Sequence, residues 1–185
     1  MYRIYRLRSV VRIDPSKLDR DLAEVALEEL RKRYENVFDK NLGVILMVMN
    51  PKVDPEGYII MGDGAPYHYV EFEVLAYVPV VNEIVEGVVE LVGRPGINVK
   101  VGPIDGFVHI SQISDEEAYY DSVRQAIVLR QSKRTIERGD IVRARITSVS
   151  GGTPQRPPRV SMTLKQPYLG KREWILEYIK KQRGG

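Results

Sequence analysis

Apolar and polar residues alternate along this chain at two different periods, and the change of period lays out its elements. Residues 2–13, YRIYRLRSVVRI, set Tyr2, Ile4 and Arg6 against Arg3, Tyr5 and Leu7 before turning apolar. That predicts a strand, either paired on both edges or packed under a helix. Asp14-Pro15-Ser16 breaks it, and Leu18, Leu22, Val25, Ala26, Leu27 and Leu30 then recur at helical spacing up to Tyr34. Proline suits a first helical turn, where its missing N–H has no partner to lose, and Arg31-Lys32-Arg33 matches the dipole at the helix end. The apolar run Val44 to Met49 predicts a central strand, ended by the turn residues Asn50-Pro51 and Asp54-Pro55-Glu56-Gly57. Tyr58 to Met61 and Tyr69 to Tyr77 supply further strands. The order β-α-β-β-β predicts a small α/β sandwich over residues 1–80, a helix on an antiparallel sheet.

The second half reads differently. In DGFVHISQI, residues 105–113, Val108 and Ile110 alternate with His109 and Ser111 on a short strand, and Gly106 behind Gly102-Pro103 predicts a tight turn. Two valine-rich runs precede it, IVEGVVELVG and INVKVG, and two follow, GDIVRARITSV and RVSMTL. Five short strands with glycine turns predict a closed barrel over residues 81–185. An insertion, residues 115–138, carries Val123, Ile127 and Val128 with cations between them. It predicts an added hairpin, with turns at Asp121-Ser122 and Gln131-Ser132. Residues 151–159, GGTPQRPPR, predict a flexible, exposed loop. Trp174, Ile175, Tyr178 and Ile179 predict an amphipathic helix over 171–182, packed on the barrel or on a partner chain.

Charge separates the halves further. Residues 1–80 hold 11 Lys/Arg against 13 Asp/Glu, whereas residues 81–185 hold 17 against 12, and residues 122–172 hold 12 bases with only two acids, Glu137 and Asp140. Such a concentration attracts phosphates or an acidic protein surface. Cysteine is absent, which excludes disulfides and cysteine metal sites and fits a cytoplasmic protein. The longest apolar run, GVILMVM, is far short of the ~20 residues of a membrane span, and no signal peptide is apparent. The two histidines, His68 and His109, lack metal-ligand spacing, and no phosphate-binding loop or nucleophile elbow is present. No cofactor, metal or catalytic residue is expected.

The series EGVVELVG, GINVKVGPIDGFVHISQI, ERGDIVRARITSVS and RVSMTLKQP resembles the RNA-binding OB fold of the ribosomal protein S-one type over roughly residues 82–166. The expected fold class is therefore α+β, an amino-terminal α/β sandwich followed by a five-stranded OB-fold barrel. Barrels of that type stack bases on aromatics near the first glycine turn, but Pro95 and Asn98 occupy those positions here. The resemblance carries a histidine role to His109 and an arginine role to Arg159. Phe107 is a replacement platform or a core residue. Weak, largely electrostatic RNA binding follows, through Lys100, Phe107, His109, Arg124, Arg130, Lys133, Arg134, Arg143, Arg145, Arg156, Arg159 and Lys165.

From MYRIYRLRSVVRIDP through IIMGDGAPYHYVEFE to GKREWILEYIKKQ, the whole chain resembles the E-prime stalk family of archaeal DNA-directed RNA polymerases, counterparts of the seventh-largest subunit of RNA polymerase II. That resemblance implies a non-catalytic subunit whose amino domain is a tip docking on the polymerase core near the clamp. The loop Gly62, Asp63 and Gly64, with Ala65, Pro66 and Tyr67, would make the core contacts. It also implies a heterodimer with the small F subunit of RNA polymerase and contact with single-stranded nascent RNA. Two rival expectations remain from the residues themselves. One is a free-standing RNA-binding module of an exosome or translation complex. The other is an adaptor whose basic face meets an acidic protein.

Overall fold

A computed structural model describes residues 1–183, which fall into two compact units. The first comprises Met1–Val78 together with Gly152–Pro157, and the second starts at Pro79 and includes the chain from Pro158 onward. The break lies two residues before the expected one, and part of the Pro/Gly loop belongs to the first unit rather than to the barrel.

In the first unit, β1 (Tyr2–Arg12), β2 (Phe38–Asp39), β3 (Gly43–Ile59) and β4 (Pro66–Tyr77) form an antiparallel sheet in the order β1-β4-β3-β2. Helix α1 (Leu22–Tyr34) covers one face. The helix begins later than its apolar period suggests because Asp21 caps it, accepting from the N–H groups of Ala23 and Glu24. Residues Pro15–Lys17 form a separate 3-10 turn, and Leu18 is left exposed. Val25, Ala26 and Leu30 pack from α1 onto Val11, Val48, Val70 and Phe72. Each large side chain buried in this layer contributes ~1.5–3 kcal/mol.

Strands β4 and β3 are the inner strands of this sheet, so the Val44–Met49 segment starts between two neighbours as expected. Beyond its short pairing with β2 at Gly43 and Val44, β3 becomes an edge, and β1 is the other edge, under the helix. The turn residues within 50–57 do not end β3. It continues to Ile59 with register shifts after Ile45, Met49 and Val53. An edge strand tolerates proline and absorbs extra residues as bulges. Asn50 adopts a left-handed φ of 54° and its side-chain amide donates to Glu73 at 2.8 Å. His68 closes the largest bulge, its Nδ1 2.9 Å from the Asp54 carbonyl. Gly57 lies against that imidazole, and a Cβ there would come within 2.6 Å of the ring. Residues 152–157 are exposed, as expected, but anchored: the Phe38 N–H donates to the Pro154 carbonyl at 3.3 Å, and Gly152 leaves room for the Phe38 ring.

The 3-10 turn is pinned to α1 by charge. Lys17 reaches Glu28 and Glu29 at 3.0 and 3.1 Å, and Arg20 reaches Glu28 at 2.6 Å. Hydrogen bonds from Arg20, then from Lys17, hold the Glu28 carboxyl down to about 2, against its ordinary 4.5. A depressed folded value means stability present above the unfolded value and lost as pH falls through the folded one. The stability difference between wild type and Glu28→Gln, followed by urea denaturation, should therefore be full at pH 5 and shrink between about pH 4.5 and 2.

In the second unit, β5 (Ile84–Gly93), β6 (Gly96–Val101), β7 (Ile104–His109), β11 (Ile141–Ser150) and β12 (Arg159–Thr163) run in the order β12-β7-β6-β5-β11, and β11 pairs with β12 to close the barrel. The β7–β12 contact is parallel and the others are antiparallel. Val89, Ile97, Val99, Val108, Ala144, Ile146 and Met162 fill the interior. Two local expectations fail. Gly106 lies within β7 rather than at a turn; it faces inward against the Met162 side chain, which a Cβ would overlap. The strand also ends at His109, with Ile110–Gln112 forming a 3-10 turn. The His109 ring diverts the chain there, its Nδ1 accepting from the Ser111 N–H at 3.2 Å.

Between β7 and β11, the insertion forms a three-stranded sheet, β8 (Ala118–Asp121), β9 (Ala126–Leu129) and β10 (Thr135–Ile136), in the order β10-β9-β8. That is one strand more than a hairpin. Both expected turns are built by carboxylates: Asp121 accepts from Val123 and Arg124 N–H, and Glu116 accepts from Gln131 and Ser132 N–H. Ile127 and Val128 are buried, but Val123 sits on the turn, exposed. After β12 the chain forms β13 (Gly170–Lys171) and α2 (Arg172–Arg183), with Ile175 buried. Lys171 pairs with Asp140 at 2.9 Å, and Asp140 also accepts from the Glu137 N–H at 2.8 Å. Gly139-Asp140 therefore folds a turn and ties it to β13.

Candidate functional site

The β3–β4 connection projects beyond the sheet, and its conformation is held from a distance. Arg12, at the end of β1, donates through Nε and Nη2 to the two carboxylate oxygens of Asp63, both at 2.8 Å. The Tyr67 hydroxyl donates to Asp63 at 2.7 Å and the Ala65 N–H at 3.2 Å. Gly62 adopts a φ of +92°, a left-handed conformation that a side chain would strain. Hydrogen bonds from Arg12 and then Tyr67 hold the Asp63 carboxyl well below the usual carboxylate range. Bidentate guanidinium–carboxylate pairs of this kind carry geometric specificity as well as energy.

Asp63 is thus satisfied within the chain, and Ala65 is fully buried. What the loop presents to the outside is apolar: Ile59 is 69% exposed, Ile60 46% and Met61 fully exposed. Sequence reasoning centred on Gly62 to Tyr67 and passed over these three. The signal available to it was a run of Ile59, Ile60 and Met61 with no polar alternation, running straight into a glycine turn. Beside them, Tyr58 stacks on Tyr67 with ring centroids 5.8 Å apart.

The candidate RNA-contacting residues are spread over several elements and both units. Lys100, Phe107, His109 and Arg159 share the outer face of β6, β7 and β12. There Asn98 opposes Phe107, Gly96 opposes His109, and Ser161 lies alongside Phe107. Phe107 is half-buried and meets the His109 ring edge-on at 6.4 Å. Arg143 and Arg145 share a face of β11, as alternation requires, at the end opposite Arg159. Arg124, Arg130, Lys133 and Arg134 belong to the insertion, and Arg156 lies in the loop assigned to the first unit. Lys165 follows β12.

Several of these cations are already paired. Lys100 meets Asp105 at 2.9 Å, Arg130 meets Glu117 at 3.2 Å, and Arg134 meets Glu177 at 2.8 Å. Arg143 meets Glu86 at 2.7 Å and Lys165 meets Asp115 at 3.6 Å. Exposed pairs contribute little to stability, but they lower the charge offered to a phosphate. Among the described residues, no carboxylate pairs with Lys133, Arg145, Arg156 or Arg159, and Arg145 Nε is buried without a hydrogen-bond partner. A cleft of about 660 Å³ is lined by Trp174, Tyr168 and Tyr178, beside Arg134 and Lys165. Arg134 lies over the Trp174 ring at 5.5 Å. Among the described residues, no group of three or more His, Cys, Asp or Glu side chains is placed to hold a metal ion, and no helix is long and apolar enough to cross a membrane.

Residues 8–64 match the SHS2 domain found in the N terminus of Rpb7p/Rpc25p/MJ0397, and residues 78–152 match the S1 RNA binding domain. DNA-directed RNA polymerase subunit Rpo7 of Saccharolobus solfataricus is 49% identical over 177 residues, covering 96% of this chain and 98% of that one. Its counterpart in Sulfolobus acidocaldarius is 45% identical over 181 residues, 98% of each chain. More distantly, DNA-directed RNA polymerase III subunit RPC8 of Bos taurus is 26% identical over 128 residues, 69% of this chain and 63% of its own length. Near-complete coverage at this identity, on a sheet-and-helix unit followed by a closed barrel, places the chain in the Rpo7 family of archaeal DNA-directed RNA polymerase subunits.

Proposed function

We propose that this chain, a non-catalytic stalk component of an archaeal DNA-directed RNA polymerase, docks on the core through the β3–β4 connection. It pairs with the polymerase's F subunit as a heterodimer and contacts single-stranded nascent RNA through its barrel. The observation that carries the docking role is the exposed trio Ile59, Ile60 and Met61 on a loop clamped by Arg12, Asp63 and Tyr67. A loop whose backbone is already held by the Arg12–Asp63–Tyr67 clamp has less main-chain freedom to lose on docking, so the remaining cost is that of ordering the exposed side chains. The end-to-end match to Rpo7 favours this reading over a free-standing exosome or translation module. The test is reconstitution of a polymerase lacking this stalk component with the purified chain and the F subunit: stoichiometric incorporation supports the reading, and failure to incorporate overturns it.

The barrel's role rests on Phe107, His109 and Arg159 sharing one outer face. With so many cations paired internally, few phosphates are neutralised and binding is weak. Each phosphate contact on a single strand adds about −0.7 to the slope of log K against log salt. Arg159→Ala should make that slope shallower by roughly 0.7 and weaken RNA binding several-fold at low salt. A slope unchanged by the substitution would move the RNA contact off this face.

A further inference from the structure

Across the outer face of the barrel, strand register sets four side chains in one row. Leu91 of β5 stands opposite Asn98 of β6, Asn98 stands opposite Phe107 of β7, and Ser161 of β12 lies alongside Phe107. Their neighbours Ile97, Val99, Val108 and Val160 are buried, so alternation turns the row outward. Asn98 and Ser161 are exposed, Leu91 is 60% exposed and Phe107 is half-buried. Side chains directly opposed on a ladder have Cβ atoms ~4.5–5.5 Å apart. A flat group resting on the Phe107 ring therefore brings its rim to Asn98 on one side and to Ser161 on the other. The polar groups of this face are not equally available. Lys100 and Asp105, the next outward pair on β6 and β7, hold each other at 2.9 Å. The His109 Nδ1 accepts from the Ser111 N–H at 3.2 Å. Among the described residues, neither the Asn98 amide nor the Ser161 hydroxyl makes a hydrogen bond; Ser161 accepts from the Thr147 hydroxyl only through its backbone carbonyl.

We infer that the barrel reads one base of the RNA it contacts: an adenine stacked on Phe107, with its N6–H and N7 edge on the Asn98 amide. This rests on the RNA-contacting role proposed above for the same face and adds a base preference to it. A ring platform and a phosphate contact carry no information about the base, because every base has a π-face and every nucleotide a phosphate. A carboxamide differs. It offers a donor and an acceptor side by side, the arrangement that meets adenine N6–H and N7 bidentately, and in a single strand that edge is open. Guanine is suited by a free Lys or Arg and cytosine by a free carboxylate. Lys100 and Asp105 are engaged with one another, and Arg159 serves the phosphate in the reading above. Leu91 and Phe107 flank the amide with apolar surface, so a base covering it excludes water and strengthens the pair of hydrogen bonds.

Fluorescence anisotropy of short homopolymeric RNAs titrated with the full chain at low salt tests this. Oligo-A should bind ~5-fold or more tighter than the same oligomer built from 7-deazaadenine, which keeps the rings and the amino group but lacks the N7 acceptor. Oligo-U and oligo-C should bind no more tightly than the 7-deaza form. Asn98→Leu should lower oligo-A to the 7-deaza level. Asn98→Phe should bind the 7-deaza form more tightly than wild type does and close the gap to oligo-A, because a second platform is indifferent to N7. Misfolding cannot produce a gain in affinity, so Asn98→Phe and the wild-type comparison decide even if Asn98→Leu is unstable. Equal wild-type binding of oligo-A and its 7-deaza form overturns the inference and leaves the RNA-contacting role standing. So does a preference for oligo-A that survives Asn98→Leu or Asn98→Phe, or tighter binding of oligo-U or oligo-C. Absence of wild-type binding to any of these RNAs overturns both.

Discussion

Met61→Asp is expected to weaken binding to the polymerase core by roughly 10- to 100-fold while leaving the melting temperature of the isolated chain nearly unchanged. Met61 is fully exposed in the free chain, so its replacement removes no internal contact. In the bound state it would be covered, and burying a side chain of this size is worth ~1.5–3 kcal/mol, before the cost of desolvating the new carboxylate. Asp63→Arg is a less direct probe than it looks from sequence. It would set a second guanidinium against Arg12 and free the Tyr67 hydroxyl, so lost docking would report a reshaped loop rather than a lost contact. Competition binding with Met61→Asp beside Ile59→Ser separates the two effects. Wild-type affinity in both variants would remove the apolar projection from the interface.

Gly106→Ala is expected to destabilise the barrel by ~1–3 kcal/mol, because the added methyl must displace the Met162 thioether within a closed interior that leaves it little room to repack. The barrel's calorimetric transition should fall by several degrees, at ~4–8 °C per kcal/mol for a unit of this size. Met162→Ala alone should also destabilise, by leaving a cavity. Combined with Gly106→Ala it should recover part of the loss, since the methyl then enters space the thioether has left. Additive losses in the double variant would mean that the destabilisation does not come from the contact with Met162.

The two halves and their general architecture were legible because each rests on a local pattern: a helical period from Leu22 to Leu30, and short valine-rich runs punctuated by glycine. The failures have physical causes. Asn50, Pro51 and the segment 54–57 carry turn chemistry, but bulges in an edge strand use the same residue types, and nothing local tells one from the other. The alternation of Val108 and Ile110 continues past the true strand end because His109, whose side chain closes the next turn, fits the strand pattern equally well. The third strand of the insertion is two residues long, below the length at which period carries information.

For the candidate site, the β3–β4 loop was legible in sequence, but which of its side chains pair internally and which face outward was not. Arg12 and Asp63 are 51 residues apart in sequence, so their pairing could not be read from either neighbourhood, and an acid between two glycines looked available to a partner. The same holds for the basic segment. Its excess of charge is real, but Glu86, Glu117 and Glu177, all drawn from outside the segment, neutralise several of its cations. Charge counting along a sequence gives the total and not what remains free.

The most direct measurement is a tagged purification of wild type and Met61→Asp from cells of the source organism, with co-purifying proteins identified by mass spectrometry. The wild type should bring down the large polymerase subunits and one small stoichiometric partner. Met61→Asp should lose the large subunits and keep the small one. Exosome or ribosomal proteins in place of polymerase, or large subunits retained at wild-type level by Met61→Asp, would contradict docking through the β3–β4 loop.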